Sequence, residues 1–428
     1  MPSDLSDRPR SFLFLQGPLS PLYARLAGQL EASGHRVSRI NLCLGDWLHW
    51  RRPGAVDYRG TSANWLEFVR HEMAARGVTD VILHGDRRPY HAAAITAAHK
   101  RGARVYVTEL GYLRPDWMTL ERDATSAASH FSRDPAVIEW LAVQSRPLDL
   151  VPRYRAEFAK VAVPDVIYNL SNTLLRVLYP HYQRHTIYFP PLEYAAWLVR
   201  LATRPLRDRA AARIAQEIAQ HERVSFLFAL QLEGDYQIRT AACDGLTGAL
   251  EQVVASFATH APEHALLVVK SHPLDNGLER WRSVLRDLGR RHGVAPRLRF
   301  ADGGMLEPLL ARASGFVSVN SNAGIEALRA GVPVKTLAPA IYDVPGLVHQ
   351  GALDTFWQAP EKPDQRLLGL FLRALAAHTQ VRGTIYSDAG LIAAVNGMAE
   401  RILADTGAAG AYRPPAADAP ARAADRRQ

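Results

Sequence analysis

Three short stretches in the second half of the chain concentrate residue types that hold anions, and each follows an apolar run of strand character. In Lys270-Ser271-His272-Pro273 the proline ends the run and sets the turn, leaving an imidazole and an ammonium at the strand tip. Together they can bind a phosphate; equally, His272 can cap neighbouring backbone. Asn320-Ser321-Asn322 stands between a strand and a short helix. Small polar side chains and free amides at a helix start suit an anionic phosphate, and ordinary capping selects the same residues. The third stretch runs from Gln231 through Gly234 and Asp235 to Gln237, where the side chains can read polar groups of a ligand or line a solvated loop.

The first half offers a different mixture. His84-Gly85-Asp86-Arg87-Arg88 and the segment from Glu109 to Trp117 combine acids, arginines and aromatics after strand-like runs, which suits a sugar or an acidic acceptor. Arg87, Tyr112, Arg114 and Asp116 are the candidate acceptor contacts. A transferase that inverts at an anomeric carbon needs one carboxylate as general base toward the acceptor hydroxyl. Glu109, Asp86, Asp116 and Glu121 are the candidates, each equally open to a structural ion-pair role.

Such groups need strand ends to hold them. Apolar runs at Ser11–Gln16, His35–Leu42, Val78–Gly85 and Ala103–Leu110 alternate with helical patterns at Pro21–Ala32, Trp65–Ala75 and Tyr90–Arg101. The alternation returns from Val224 to Leu337. Strands alternating with helices predict parallel sheets covered on both faces. The chain is therefore read as α/β, with two Rossmann-like lobes facing a cleft and ligands at the carboxyl ends of the strands. The expected division is an acceptor-side lobe over 1–165, a helical connector over 166–222, a nucleotide-sugar lobe over 223–376, a helical segment over 377–404 and a disordered tail over 405–428.

Composition narrows the function. The 428 residues are 48% hydrophobic and 22% charged, with a net charge of +9 that favours anionic partners. No recognisable nucleic-acid module accompanies that charge. Two cysteines exclude a disulfide framework and fit a reducing cytoplasm. No apolar stretch approaches the roughly 20 residues of a membrane span, so membrane contact is expected to be peripheral. There is no GxGxxG, Walker A, GxSxG, HExxH, CxxC or DxD motif, and the 16 histidines lack metal-ligand spacing. The expectation is an enzyme without metal or resident cofactor.

Taken in order, FLQGPLSPLYARLA, INLCLGDW, HGDRRPYH, ELGYLRPDWMTLE, LQLEGDYQ, VVKSHPLDNG, VNSNAGIEALRAGVPVKTL, AIYDVPGLVHQGALDTFW and RGTIYSD resemble the KpsS-type capsule polysaccharide proteins from about Phe12 to Asp388. The resemblance implies a GT-B-like architecture and transfer of β-linked Kdo from CMP-Kdo to a lipid terminus. It implies that the His272-Pro273 turn and the Ser321 helix start hold the CMP phosphate. Its partners would be a nucleotide-sugar, a lipid or glycolipid acceptor and capsule assembly proteins at the cytoplasmic face of the inner membrane. Lys270, Asn320, Asn322, Gln231 and Asp235 complete the expected nucleotide site, and Glu109, Asp86 and His272 the expected catalytic set, in an inverting, metal-independent transferase. Two departures stand out. The resemblance implies two adjacent acids before Gly-Tyr-Leu-Arg-Pro, the second as general base, where this chain has Glu109-Leu110, so that Glu109 or another acid serves, a different sugar is transferred or catalysis is altered; it also implies a threonine where this chain has Asn322. A non-catalytic export component and a nucleotide-sugar epimerase on the same architecture are the alternatives.

Overall fold

The computed structural model describes residues 8–184, 188–220, 224–233 and 245–405. Twelve strands form two sheets among these residues: β1 (Ser11–Phe14), β2 (Arg36–Asn41), β3 (Ala55–Asp57), β4 (Asp80–His84), β5 (Arg104–Leu110), β6 (Trp117–Arg122), β7 (Ser225–Ala229), β8 (Leu266–Lys270), β9 (Leu298–Ala301), β10 (Gly315–Ser318), β11 (Val334–Thr336) and β12 (Gln380–Arg382). The first sheet has the order β12-β6-β5-β4-β1-β2-β3 and the second β11-β10-β7-β8-β9. β1 to β5 pair in parallel, as do all five strands of the second sheet.

The two central strands begin with the same residues. Ser11-Phe12-Leu13-Phe14 in β1 and Ser225-Phe226-Leu227-Phe228 in β7 are all buried, and each run is followed by a glutamine, Gln16 and Gln231. Helices cover both faces of each sheet, so these strands are apolar on both sides rather than alternating. Phe12 and Phe14 pack toward one core, Leu13 toward another; Phe226 and Phe228 divide from Leu227 in the same way. Periodicity located the parallel strands and their helices to within a few residues, except β3 and the helix Leu44–Trp50 before it, which the sequence reading passed over.

Three features differ from the sequence expectation. Trp117–Arg122, to which no element was assigned, is a strand paired antiparallel with β5. Residues 377–404 are not all helical: β12 pairs antiparallel with β6, so the chain returns from the second lobe to extend the first sheet. Helix Asp388–Ala404 then joins the same core as helix Leu22–Ala32. Asp405, placed in the tail, is anchored. Its carboxylate accepts from Tyr106 Oη at 2.8 Å and from Arg122 Nη1 at 2.7 Å, while its carbonyl accepts from Arg104 Nη1 at 2.8 Å. The rest of that tail, 406–428, lies outside the described residues.

Asp116 belongs to this return path and not to an acceptor site. Its side chain is wholly buried. Oδ1 accepts from Arg382 Nη1 at 3.0 Å, and Oδ2 from the backbone N–H of Arg153 at 2.6 Å and of Tyr154 at 3.2 Å. Removing a buried carboxylate strands each of these donors. Asp116→Ala is expected to lower unfolding free energy by about 3 kcal/mol or more, read as a reduced midpoint in urea.

Candidate active site

The site follows from where parallel strands end. In the second sheet β7 lies between β10 and β8, so the residues after those three strands share one edge. The order reverses between β7 and β10, the position at which open α/β sheets form a ligand crevice. Gln231 and Asn320 bridge the tips of β7 and β10 at that position. Gln231 Nε2 donates to Asn320 Oδ1 at 3.0 Å, and the Asn320 backbone N–H donates to Gln231 Oε1 at 3.2 Å. The Asn320 amide nitrogen is buried without a hydrogen-bond partner among the described residues. A buried donor left unmet carries a desolvation cost that a ligand oxygen would relieve.

Ser321 and Asn322 stand at the start of helix Ala323–Arg329. Ser321 Oγ accepts from the Ala323 N–H at 3.2 Å, while Tyr342 Oη holds the Ser321 carbonyl at 2.6 Å. Asn322 occupies the cap position but makes no capping bond with its side chain. Gly324 is required here, because a Cβ would lie 2.2 Å from Tyr342 Oη.

Beyond β8, His272 is half-buried. Burial, then Arg114 and Lys270, lower its pKa to about 4, so the ring is neutral near pH 7. Its Nδ1 accepts from the Leu274 N–H at 3.1 Å. A neutral ring whose Nδ1 is an acceptor carries its proton on Nε2 and presents a donor there. His272 follows β8 and Ser321 follows β10, one strand apart, which is about 10 Å between strand axes. That span suits one nucleotide. Pro273 is exposed on the turn.

Lys270 is buried, its Nζ donates to the Ser271 carbonyl at 3.1 Å, and burial lowers its pKa against the pull of Asp302. Behind it Asp302 binds Arg200 Nη2 at 2.8 Å, Arg207 Nη1 at 3.3 Å and Ser271 Oγ at 3.0 Å. Burial raises the Asp302 pKa, but Arg200 and its other partners outweigh it and hold the net value down. Arg200 and Arg207 come from helix Pro190–Gln220. Sequence reasoning did not single them out, because a helical arginine carries no local sign of facing inward. Asp235 and Gln237 lie outside the described residues.

The first lobe repeats the arrangement. Its strand order reverses between β1 and β4. Gln16, after β1, accepts from Arg88 Nη1 at 3.0 Å and donates to Tyr168 Oη at 2.7 Å. His84 Nδ1 meets Thr108 Oγ1 at 3.0 Å, and burial followed by Arg88 lowers its pKa to about 3. His84 Nε2 lies 3.9 Å from Glu109 Oε2. Burial raises the Glu109 pKa, opposed chiefly by Arg88. Its side chain keeps 31% of its surface exposed, so it can meet a ligand. Gly85, at φ 75°, admits Glu109: a Cβ there would sit 3.1 Å from Oε1.

Other acids and aromatics of this lobe serve the fold. Tyr112 is not an acceptor contact: it is buried, its Oη donates to Glu121 Oε1 at 2.7 Å and accepts from the Ser126 N–H at 2.5 Å. Glu121 is buried too and bonds Ser129 Oγ; burial raises its pKa to about 7. Asp86 is buried, accepts from Thr125 Oγ1 at 3.3 Å and lies 3.4 Å from Arg87 Nε, so it is walled off from an acceptor hydroxyl. Arg114 is exposed, and its charge acts on Glu109 of the first lobe and on His272 and Glu326 of the second. Its guanidinium therefore lies between the lobes. Among the described residues no group of three His, Cys, Asp or Glu side chains is placed to hold a metal ion.

Comparison with known proteins adds a family. The profile described as capsule polysaccharide biosynthesis protein matches residues 79–386. The chain belongs to that family. The capsule polysaccharide export protein KpsS of Escherichia coli is 30% identical over 382 residues, covering 88% of this chain and 97% of that one. The capsule polysaccharide modification protein LipB of Neisseria meningitidis serogroup A is 29% identical over 395 residues, covering 90% and 94%. Among solved structures, the β-Kdo 2,7 transferase of KpsC from Thermosulfurimonas dismutans is 14% identical with a TM-score of 0.43, covering 92% of this chain and 100% of that one.

An anion at Nε2 would stabilise the imidazolium form, so binding raises the His272 pKa from about 4 and takes up a proton. Nitrogen-15 NMR of the imidazoles should show His272 titrating near 4 in the free protein and at higher pH with sulfate as a probe anion. Affinity for sulfate, whose charge is constant over this range, should accordingly strengthen as pH falls toward the free-form value.

Proposed function

We propose that this capsule-family chain is a glycosyltransferase whose second lobe holds a nucleotide-sugar and whose first lobe presents the acceptor. The observation that carries the reading is the shared edge of β10, β7 and β8. There the Nε2–H of His272, the unmatched amide of Asn320 and the Ser321 helix start occupy the crevice beside Lys270. All are donors suited to an anion, and a neutral imidazole avoids over-stabilising the ground state with a second full charge.

Across the cleft Glu109 receives the proton of the acceptor hydroxyl. It is half-buried and keeps 31% of its side-chain surface, more than the rest of the expected set, since Asp86, Asp116 and Glu121 are buried and bonded within the fold. Its raised pKa brings it nearer the range in which a carboxylate takes a proton effectively. Leu110, where the resemblance places the second acid, offers no group that takes a proton, and Glu109 beside it is the carboxylate left on that strand. Arg114, between Glu109 and His272, orients the acceptor or a donor carboxylate with a fixed charge. Closing the lobes brings the acceptor oxygen onto the anomeric carbon and excludes water.

The resemblance of the His272-Pro273 and Asn320-Ser321 segments supports CMP-Kdo as donor and a glycerophospholipid as acceptor, at the cytoplasmic face of the inner membrane. Purified protein is expected to transfer the sugar from CMP-Kdo to such a lipid and to bind CMP in preference to UDP. His272→Ala should cut turnover by about a thousandfold with an unchanged melting temperature. Glu109→Gln should cut kcat by at least about a hundredfold while retaining CMP binding. Wild-type turnover by His272→Ala would remove the crevice from the mechanism. Interconversion of a nucleotide-sugar without any acceptor would replace transfer by epimerisation.

A further inference from the structure

Helix Phe158–Leu174 and the first half of helix Pro190–Gln220 are built inside out, while the second half of the latter buries Ala211 and Ile218 in the ordinary way. Helix Pro190–Gln220 turns Arg200 and Arg207 inward to Asp302. Its opposite stripe, Leu192, Ala195, Leu198, Val199, Ala202 and Leu206, faces solvent, with Leu198 69% and Val199 63% exposed. These positions recur at three- and four-residue intervals, the spacing of one helix face. Helix Phe158–Leu174 does the same. Its inward residues are polar: Asn172 accepts from the Gly45 N–H at 3.0 Å, and Tyr168 binds Gln16. Ala159, Val163, Val166, Ile167 and Leu174 are outside. The loop after it adds Val177, 79% exposed. A water-facing helix ordinarily shows the reverse polarity, and contiguous apolar surface on this scale marks an interaction site.

Charge selects the occupant. Arg155, Arg176, Arg204 and Arg209 are exposed beside the stripes. The acids of the same helices turn to internal partners. Asp165 accepts from Tyr194 Oη at 3.2 Å, and Glu193 from Asn276 Nδ2 at 3.2 Å. Asp208 accepts from the Gly304 N–H at 2.8 Å and, itself 42% exposed, also lies 3.5 Å from Arg204 Nε. Glu157 is the exception, exposed just before the first helix. Trp47 is exposed on helix Leu44–Trp50, which packs against the first connector helix, and Arg51 lies 6.0 Å from its ring. Exposed aliphatics on adjoining helices, arginines beside them and an amphipathic aromatic nearby are what a bilayer boundary with anionic headgroups accepts. Among the described residues no helix is long and apolar enough to cross a membrane, so this surface would lie in the interface plane.

We propose that helices Phe158–Leu174 and Pro190–Gln220 form the surface by which this protein docks on an anionic lipid bilayer. The same helices reach the cleft from the other side. Tyr168 bonds Gln16 at the β1 tip, and Arg200 and Arg207 brace Asp302 beside Lys270. Docking therefore sets the cleft beside the headgroups, where a lipid acceptor is met without leaving the bilayer. The proposal rests on the transferase reading only for the acceptor being a lipid.

The test is flotation of the full chain with phosphatidylcholine vesicles, with and without phosphatidylglycerol. It compares wild type with the triple variant Ile167→Asp, Leu198→Asp, Val199→Asp and with the pair Arg176→Gln, Arg204→Gln. All five positions are exposed, and circular dichroism and CMP binding check that each variant is folded with its crevice intact. Wild type is expected to float with phosphatidylglycerol vesicles. The triple variant should lose at least about tenfold in vesicle partitioning, and the arginine pair should lose the preference for the anionic lipid. Failure of wild type to float, or equal flotation by the triple variant, overturns the docking surface and leaves the CMP crevice standing. A wild-type dimer that the triple variant converts to monomer in light scattering assigns the face to a second copy and also overturns the proposal. Vesicle binding without sugar transfer removes the enzymatic reading alone.

Discussion

A glutamine between two parallel strand tips holds each lobe's crevice in shape. An amide must have its donors and acceptor met when it is buried, and it can meet them only if the surrounding backbone stays in register. Gln231 satisfies this across the β7–β10 reversal with the side-chain oxygen and the backbone N–H of Asn320. Gln16 satisfies it at the β1–β4 reversal with Arg88 on one end and Tyr168 on the other. The repeated Ser-Phe-Leu-Phe run before each glutamine means that one solution, an all-buried strand ending in a polar clasp, is used twice in the chain.

The clasps also divide the electrostatics. In the second lobe the positive groups are arranged in depth. Lys270, Arg200 and Arg207 are balanced by Asp302 below the surface, and a neutral His272 with a single donor faces the cleft. A half-buried imidazole beside Lys270 and Arg114 cannot hold its own proton charge near neutrality, so it acts by hydrogen bonding. In the first lobe burial discharges His84 and pushes Glu109 the other way. Each lobe thus offers the cleft one group of adjusted basicity, backed by buried partners.

The connector completes the design from outside. Part of its polar residues bind the lobes, through Asn172 on Gly45, Tyr168 on Gln16 and Arg200 on Asp302, and the apolar residues opposite them face the exterior. The inverted polarity accompanies this bracing of the clefts. The return of the chain through β12 and the anchoring of Asp405 on Tyr106 and Arg122 close the first lobe after the second has been made.

The sequence by itself determined the parallel β/α architecture, because strands buried on both faces leave unbroken apolar runs and their helices leave a 3.6-residue stripe. It also placed His272, Ser321 and Gln231 at strand ends, since Pro273, small polar residues and loop chemistry punctuate those runs locally. Only the tertiary structure decided which strand ends are neighbours, because order in a parallel sheet is set by crossover connections that local periodicity does not record. It alone showed β6 and β12 as strands: β6 folds back on the neighbouring β5, and β12 has its antiparallel partner hundreds of residues earlier in the chain. It alone separated Glu109 from Asp116, Glu121 and Asp86, because a carboxylate's role follows from its burial and its donors. The inward turn of Arg200 and Arg207 was likewise invisible, for a helix shows its stripes in sequence but not which stripe the rest of the molecule will cover.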